Sequence, residues 1–149
     1  MAMHTWFECK IRYEKVMENG MQKKVTEPYL VDALSFTEAE ARIIEEMTPF
    51  ISGEFTVSDI KRANYSELFP SDEESADRWF KCKLIFITLD EKSGAEKKTS
   101  TQVLVQAADL RDAVKKLDEG MKGTMADYQI GMVSETPLMD VYPYSAEIG

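Results

Sequence analysis

The sequence predicts an α+β protein made of a tandem internal repeat, in which two β-β-α-β units form one pseudo-twofold antiparallel sheet with two helices on one face. Three observations lead to this prediction. Residues 6–70 and 79–143 share one pattern, each copy opens with alternating apolar and polar residues, and each contains an amphipathic segment that begins with a helix cap.

The two copies can be aligned over almost their whole length. Residues 6–11 read WFECKI and residues 79–84 read WFKCKL, so four of the six positions are identical. Each copy alone would bury too little surface to be stable, so we expect a single domain, 1–149, with a shared core. Its expected parts are repeat one (6–70), an acidic connector (71–78), repeat two (79–143) and a tail (144–149).

Each copy is expected to begin with a β-hairpin. Phe7, Cys9 and Ile11 alternate with charged or polar residues, which is the period of a strand with one buried face. The dipeptide Asn19-Gly20 then favours a tight turn, because both positions tolerate positive φ, and a returning strand follows. A third strand is expected around residues 55–60 and 128–133, with a short extended piece near residues 65–69 and 138–142.

A helix is predicted in the middle of each copy. Ser35 and Glu38 have the spacing of a capping box, and Asp109 and Asp112 form a looser version of it. Apolar residues then recur on one helical face, so each helix should bury that stripe and expose its charged side. The stripes are Phe36, Ala39, Ile43 and Met47 in the first helix, and Leu110, Ala113, Val114, Leu117 and Met121 in the second.

The first strands of the two copies differ in one respect. Where copy one has Arg12 and Glu14, copy two has apolar side chains at Ile85 and Ile87, followed by Leu89. Apolar residues on both faces indicate a strand that is covered on both sides. The cover is either the rest of the chain or a partner, so these three residues are a candidate interface with another protein or with a second copy of the chain.

The composition limits the classes of function. A chain with 44% hydrophobic and 30% charged residues, without a long apolar run or an apolar N-terminal segment, is expected to be cytoplasmic, with no membrane contact. We find no phosphate-binding loop and no nucleophile elbow, so no catalytic residue and no cofactor is assigned. With one histidine, His4, and cysteines only at Cys9 and Cys82, which we expect to be buried core thiols, no metal site is predicted.

Aromatic and cationic residues recur on the other face of the first strands. Aromatic rings that stack on bases, together with cations that meet phosphates, are what binding of single-stranded nucleic acid requires. A net charge of -9 disfavours such binding, because phosphate contacts dominate its affinity. Nucleic-acid binding is therefore the alternative hypothesis, and its contact residues would be Trp6, Lys10, Arg12, Trp79, Lys81 and Lys83.

The leading hypothesis is a non-enzymatic protein-interaction or scaffolding module, because such a role accounts for a duplicated fold that has no catalytic motif. Its partner would be another protein or a second copy of the chain. A small-molecule enzyme with a site between the repeats is the third hypothesis, since spatial pairs of carboxylates cannot be recognised in a sequence.

Three segments resemble an uncharacterised family of small proteins from Bacteroidetes-type bacteria and their phages. They are the Trp-Phe-x-Cys-Lys opening, the strand Tyr29-Leu30-Val31-Asp32-Ala33 with the helix start Ser35-Phe36-Thr37-Glu38-Ala39, and the late Phe69-Pro70-Ser71. The resemblance implies a bacterial or phage protein of the cytoplasm. It brings no catalytic residues, because the domain of that family has no known function.

Overall fold

The computed structural model describes residues 4–124 and 127–144. Of the expected tail, only Tyr144 falls within these residues. Strands and a helix follow one another in the order β-β-α-β-β, and this order occurs twice along the chain. The elements are β1 (Trp6–Val16), β2 (Gln22–Asp32), α1 (Phe36–Met47), β3 (Phe55–Ala63), β4 (Glu67–Phe69), β5 (Arg78–Leu89), β6 (Glu96–Ala107), α2 (Leu110–Gly120), β7 (Tyr128–Glu135) and β8 (Asp140–Tyr142).

These elements form two compact units. Unit 1 contains the chain up to Asn64 together with the residues from Pro137 onward, and unit 2 contains Tyr65–Thr136. Each unit has its own four-stranded sheet, with the order β3-β1-β2-β8 in unit 1 and β4-β6-β5-β7 in unit 2. In both sheets the short fourth strand is parallel to its neighbour, while the other pairs are antiparallel.

The core of unit 1 lies between α1 and one face of its sheet. Phe7, Cys9 and Ile11 point to that face because alternate residues of a strand share a side, and all three are fully buried. The helix contributes most of the stripe that its 3.6-residue period predicts, with Ala39, Ile43 and Met47 buried against the sheet. The expected burial of Phe36, and of Leu110 in the second helix, is wrong, because each lies in the first turn of its helix and is about half exposed. The core is completed by residues of β2 and the strand edges.

The core of unit 2 is built in the same way between α2 and its sheet. Cys82 and Leu84 of β5 pack with Val105 of β6 and with Leu117 of the helix, and a neighbouring cluster contains Phe80. Each unit therefore has an apolar core closed by its own helix.

Both helices start with the predicted caps. The Ser35 Oγ accepts a hydrogen bond from the Glu38 backbone N–H at 3.1 Å, and the Asp109 carboxylate accepts one from the Asp112 N–H at 2.8 Å. The return bonds go one residue further back than a standard capping box, because Leu34 N–H donates to Glu38 and Ala108 N–H donates to Asp112. Each cap satisfies backbone donors that a helix start leaves without intrahelical partners.

The expectation of one antiparallel sheet with both helices on one face is wrong. The described residues form two mixed sheets, and one helix covers each of them. The physical reason is that a hairpin, its helix and the following strand already enclose an apolar core. The predicted short terminal strands exist, but they pair in parallel with strands of the other half of the sequence, β4 with β6 and β8 with β2.

Candidate protein-interaction site

One edge of β1 is open near the hairpin turn of unit 1. The pairing of β1 with β3 ends where Tyr13 lies opposite Phe55, whereas its pairing with β2 continues to Val16, opposite Gln22. Within the described residues, no strand is paired with the β3 side of residues 14–16. Unpaired backbone of this kind is a template on which another extended chain can add a strand.

A groove of about 890 Å³ lies beside this open edge. One wall is the end of the hairpin, including Val16 and Gln22, and the other is the loop of residues 50–54 that leads from α1 into β3. The loop can bend into β3 because Gly53 adopts a φ of 103°, which side chains other than that of glycine rarely tolerate. The groove is partly open to solvent, which suits a segment of another chain more than a fully enclosed small molecule.

Large apolar side chains are exposed at this end of unit 1. Phe50 is 76% exposed and Val16 is 65% exposed, and both line the groove. Met17 and Met21 flank the hairpin turn between β1 and β2 and are exposed as well. Single exposed apolar residues are ordinary on protein surfaces, but two in one groove, with two more at the adjacent turn, favour a protein contact.

The walls of the groove carry charges of both signs. Arg12, Lys15 and Lys24 contribute cations, while Glu14 and Glu54 contribute carboxylates. Because neither sign dominates, the groove is suited to a polypeptide with mixed charges more than to a polyanion.

Tyr13 is a fixed part of the groove. Its hydroxyl donates a hydrogen bond of 2.8 Å to Glu27, which also lies 3.6 Å from the ammonium of Lys15. Burial, and then the hydrogen bond and negative charge of Glu27, raise the pKa of Tyr13 to about 12. The ring therefore stays neutral and anchored at neutral pH.

The predicted interface residues of unit 2 lie at the corresponding edge of β5. The pairing of β5 with β7 ends at Phe86, opposite Tyr128, and residues 87–89 continue beyond it with β6 as partner. Leu89 is 69% exposed, while Ile85 and Ile87 are half-buried. Both β1 and β5 are central strands, so a central position does not explain why only β5 is apolar here.

Ile85 is held in place by a close approach to the neighbouring strand. A Cβ atom added to Gly131 of β7 would lie 2.9 Å from the Ile85 Cδ1, so the absence of a side chain at Gly131 makes room for it. The two strands are thereby closely packed near Ile85, and their exposed apolar side chains include Leu89 of β5 and Met132 of β7.

The residues predicted to contact nucleic acid are divided between the two units. Trp6, Lys10 and Arg12 are in unit 1, and Trp79, Lys81 and Lys83 are in unit 2. Trp6 is only 2% exposed and Trp79 only 5%, so stacking on bases would require both indole rings to leave their positions. The lysines are half-buried, and Arg12 is exposed at the groove.

The two cysteines are buried free thiols, as expected. Burial raises the pKa of Cys9 to about 12, with Glu8 and Asp59 adding to the shift, and burial raises the pKa of Cys82 to about 11. At neutral pH both remain protonated and unreactive. In the part of the chain that the structure describes, no group of three or more His, Cys, Asp or Glu side chains could hold a metal ion.

Sequence reasoning missed the groove. Phe50 belongs to neither helical stripe nor to a strand pattern, and the open edge depends on where β3 begins relative to the hairpin. The available signal was an aromatic residue directly after Pro49 in a loop, where an exposed ring has no structural purpose. That signal is weak, because single exposed aromatic residues are common.

Comparisons with known proteins place the chain in a family without a known role. No curated protein and no solved structure matches it. No helix among the described residues has the length and apolar character needed to cross a membrane. The family of the domain of unknown function DUF4494 matches residues 5–144, which is nearly the entire sequence. The chain therefore belongs to the DUF4494 family.

Proposed function

We propose that the chain is a non-enzymatic protein-interaction module, and that it binds an extended segment of a partner protein in the groove of unit 1. The observation that carries this proposal is the open edge of β1 at residues 14–16, directly beside the exposed ring of Phe50. An added strand would satisfy the backbone groups of this edge. It would also cover apolar surface that is now in contact with water.

The chemistry of the groove indicates what the segment contains. Backbone pairing gives affinity without regard to sequence, so specificity must come from side chains at alternate positions. An apolar residue of the partner would pack on Val16 and Phe50. Burying the ring of Phe50 would contribute about 1.5–3 kcal/mol to the free energy of binding. Charged residues on either side would meet Arg12 and Glu54. The partner segment is therefore extended, with an apolar centre and flanking charges of both signs.

The proposal is tested by selecting peptides that bind the full chain. A random library of eight-residue peptides is screened against the protein, and each selected peptide is then measured with Phe50→Asp. The matched control is Leu110→Asp, which places the same charge on an exposed apolar residue of unit 2. We expect selected peptides to lose at least tenfold in affinity with Phe50→Asp, which corresponds to about 1.4 kcal/mol, and to keep their affinity with Leu110→Asp.

Amide exchange locates the bound peptide. Strand addition should slow hydrogen exchange at the amides of residues 14–16, because backbone groups at the edge become hydrogen-bonded. Equal loss of affinity in both variants, or protection elsewhere than at this edge, would contradict the proposal.

Two finer statements belong to the same proposal. Residues 6–70 and 79–143 are proposed to descend from one duplicated β-β-α-β unit, supported by the identical positions and by corresponding pairings, with Trp6 opposite Asp32 and Trp79 opposite Gln106. The protein is proposed to work in the cytoplasm of a bacterium or a phage-infected cell, supported by the sequence resemblance. Fractionation of an expressing host cell tests the location.

A further inference from the structure

Each sheet is completed by a strand from the other half of the sequence. β8 comes from the second half and pairs with Tyr29–Val31 of β2 in unit 1, whereas β4 comes from the first half and pairs with Val103–Val105 of β6 in unit 2. The two segments have the same chemical order, an acidic residue, an aliphatic residue, an aromatic residue and proline. They are Glu67-Leu68-Phe69-Pro70 and Asp140-Val141-Tyr142-Pro143.

A cation of α1 holds the incoming strand in unit 1. The Arg42 guanidinium donates hydrogen bonds to the carbonyl oxygens of Tyr142 at 3.5 Å and Pro143 at 3.1 Å, and it also donates to the carbonyl of Asp32 at the end of β2. The same group lies 4.7 Å from the centre of the Tyr144 ring. The strand itself is seated by its ring, since Tyr142 stacks on Tyr29 of β2 at 6.2 Å between centroids.

A cation of α2 holds the chain that follows β4 in unit 2. Lys116 donates to the Ser71 hydroxyl at 3.1 Å and lies 3.3 Å from the Glu73 carboxylate, both just after β4. The Ser71 backbone N–H donates to the side chain of Gln106 at 2.9 Å. Phe69 is packed so closely on α2 that a Cβ atom on Gly120 would lie 2.8 Å from its ring. Each helix therefore holds the chain directly after the exchanged strand.

We infer that two copies of the chain can exchange β4 and β8 with each other and so form a strand-exchanged dimer. The first half of one copy would receive β8 from the second half of the other copy and would give it β4. Every strand pair and both cation contacts would be the same as in the single chain. Exchanging identical elements between protomers is a low-cost route to a dimer, because only the connection between the elements changes. The inference does not depend on the groove of unit 1.

The connector is the hinge in this dimer. Residues 71–77 join the two halves, and most of them are polar and exposed. A short connector gives the two halves of one chain an effective concentration on the order of millimolar, which favours closure within the chain at ordinary concentrations. At protein concentrations near that value, closure between chains becomes competitive, and a shortened connector moves the balance further toward the dimer.

Pairs of cysteine variants test the inference. Leu30 and Val141 face each other across the β2–β8 pair, so Leu30→Cys and Val141→Cys place one thiol on each strand and leave the stacked rings of Tyr29 and Tyr142 in place. A chain with both changes shows whether the geometry allows a disulfide. The two single variants, with different tags, are then mixed in denaturant, refolded together at roughly micromolar and roughly millimolar concentration, and oxidised. Cys9 and Cys82 stay in place, because they are buried with raised pKa values.

The expected result has two parts. The double variant closes its disulfide within one chain, and the mixed single variants give a covalent heterodimer whose fraction rises about tenfold or more with the concentration. The fraction rises again when Glu74 and Ser75 are deleted, which shortens the connector and keeps Glu73 for Lys116. Each single variant refolded alone, and the unmodified chain, should give only background crosslinking. Formation of the disulfide in the double variant, without any heterodimer from the mixture, would overturn the inference. Failure of closure in the double variant would overturn it too, because the β2–β8 pairing on which it rests would be absent.

Discussion

The side chain of Arg42 donates a hydrogen bond to the carbonyl of Pro143, 101 residues further along the chain, at 3.1 Å. Arg42 belongs to the first half of the sequence and Pro143 to the second, yet both are part of unit 1. This contact joins a helix to a strand that the first half does not supply. It makes the stability of unit 1 dependent on the last residues of the second half.

Replacing Arg42 should therefore release β8. In Arg42→Ala the carbonyls of Tyr142 and Pro143 lose a charged donor, and we expect a destabilisation of about 1.5–3 kcal/mol. Arg42→Lys keeps the charge but loses the planar fork that reaches several carbonyls, so its effect should be intermediate. Urea unfolding measures both, and hydrogen exchange should show faster exchange at β8 than at the core of β1. An Arg42→Ala protein with unchanged protection at β8 would contradict the role of this contact.

The ring of Phe69 should determine the effect of a substitution in α2. Gly120→Ala improves helix propensity by about 1 kcal/mol, but its Cβ would lie 2.8 Å from the ring. We expect the overpacking, of about 1–3 kcal/mol, to prevail and to loosen β4. In a Phe69→Leu background the same substitution should become neutral or stabilising. A double-mutant cycle of thermal unfolding checks the change of sign, and equal effects in both backgrounds would contradict the packing of β4 on α2.

The predicted local structure was largely correct because it depends on short-range patterns. The alternation of Phe7, Cys9 and Ile11 and the cap at Ser35 are determined by neighbours a few residues away. The number of sheets, in contrast, is not determined by residues that are close in the sequence. β4 and β8 have three residues each and nearly the same chemical pattern, so nothing local selects β2 or β6 as their neighbour.

Pro28 illustrates the same limit. A proline inside a strand favours an edge position, because proline cannot donate a ladder hydrogen bond. The outer edge of β2 is indeed without a paired strand up to Pro28 among the described residues, but β8 covers it from Tyr29 onward. The candidate site was harder to predict, since the exposure of Phe50 and the burial of Trp6 depend on tertiary packing.

The buried thiols should make stability fall at alkaline pH. Their folded pKa values, about 12 for Cys9 and about 11 for Cys82, lie above the value near 9 of a free thiol. As the pH rises, the unfolded chain loses these protons before the folded chain does. The contribution of the two thiols to the free energy of unfolding is therefore present below pH 9 and is lost as the pH rises toward 11 and 12. Urea titrations at pH 7, 9 and 10 measure the decrease, and Cys9→Ala should reduce its slope.

Thiol labelling provides an independent check. A thiol reagent at pH 8 should modify Cys9 and Cys82 only as fast as the protein opens, and rapidly in denaturant. Labelling in the native state at the rate of a free thiol would contradict their burial.

The buried tryptophans predict that oligonucleotides do not quench the intrinsic fluorescence. Trp6 stacks on the ring of His4 at 5.0 Å between centroids, and Trp79 is almost fully buried. We expect unchanged fluorescence when single-stranded DNA or RNA is added at low salt, where phosphate contacts are strongest. Free tryptophanamide with the same oligonucleotides serves as the control for inner-filter effects. Quenching that disappears with added salt would revive the nucleic-acid hypothesis.

Cleavage of the connector tests most directly whether each half completes the sheet of the other. A protease site is inserted between Glu74 and Ser75 of the full chain, which leaves the Lys116 contact to Glu73 intact, and the folded protein is cut there. If β4 and β8 are exchanged, the two fragments should elute together at the size of the uncut protein and separate only in denaturant. Fragments that separate under native conditions, with each one still folded, would contradict the exchange.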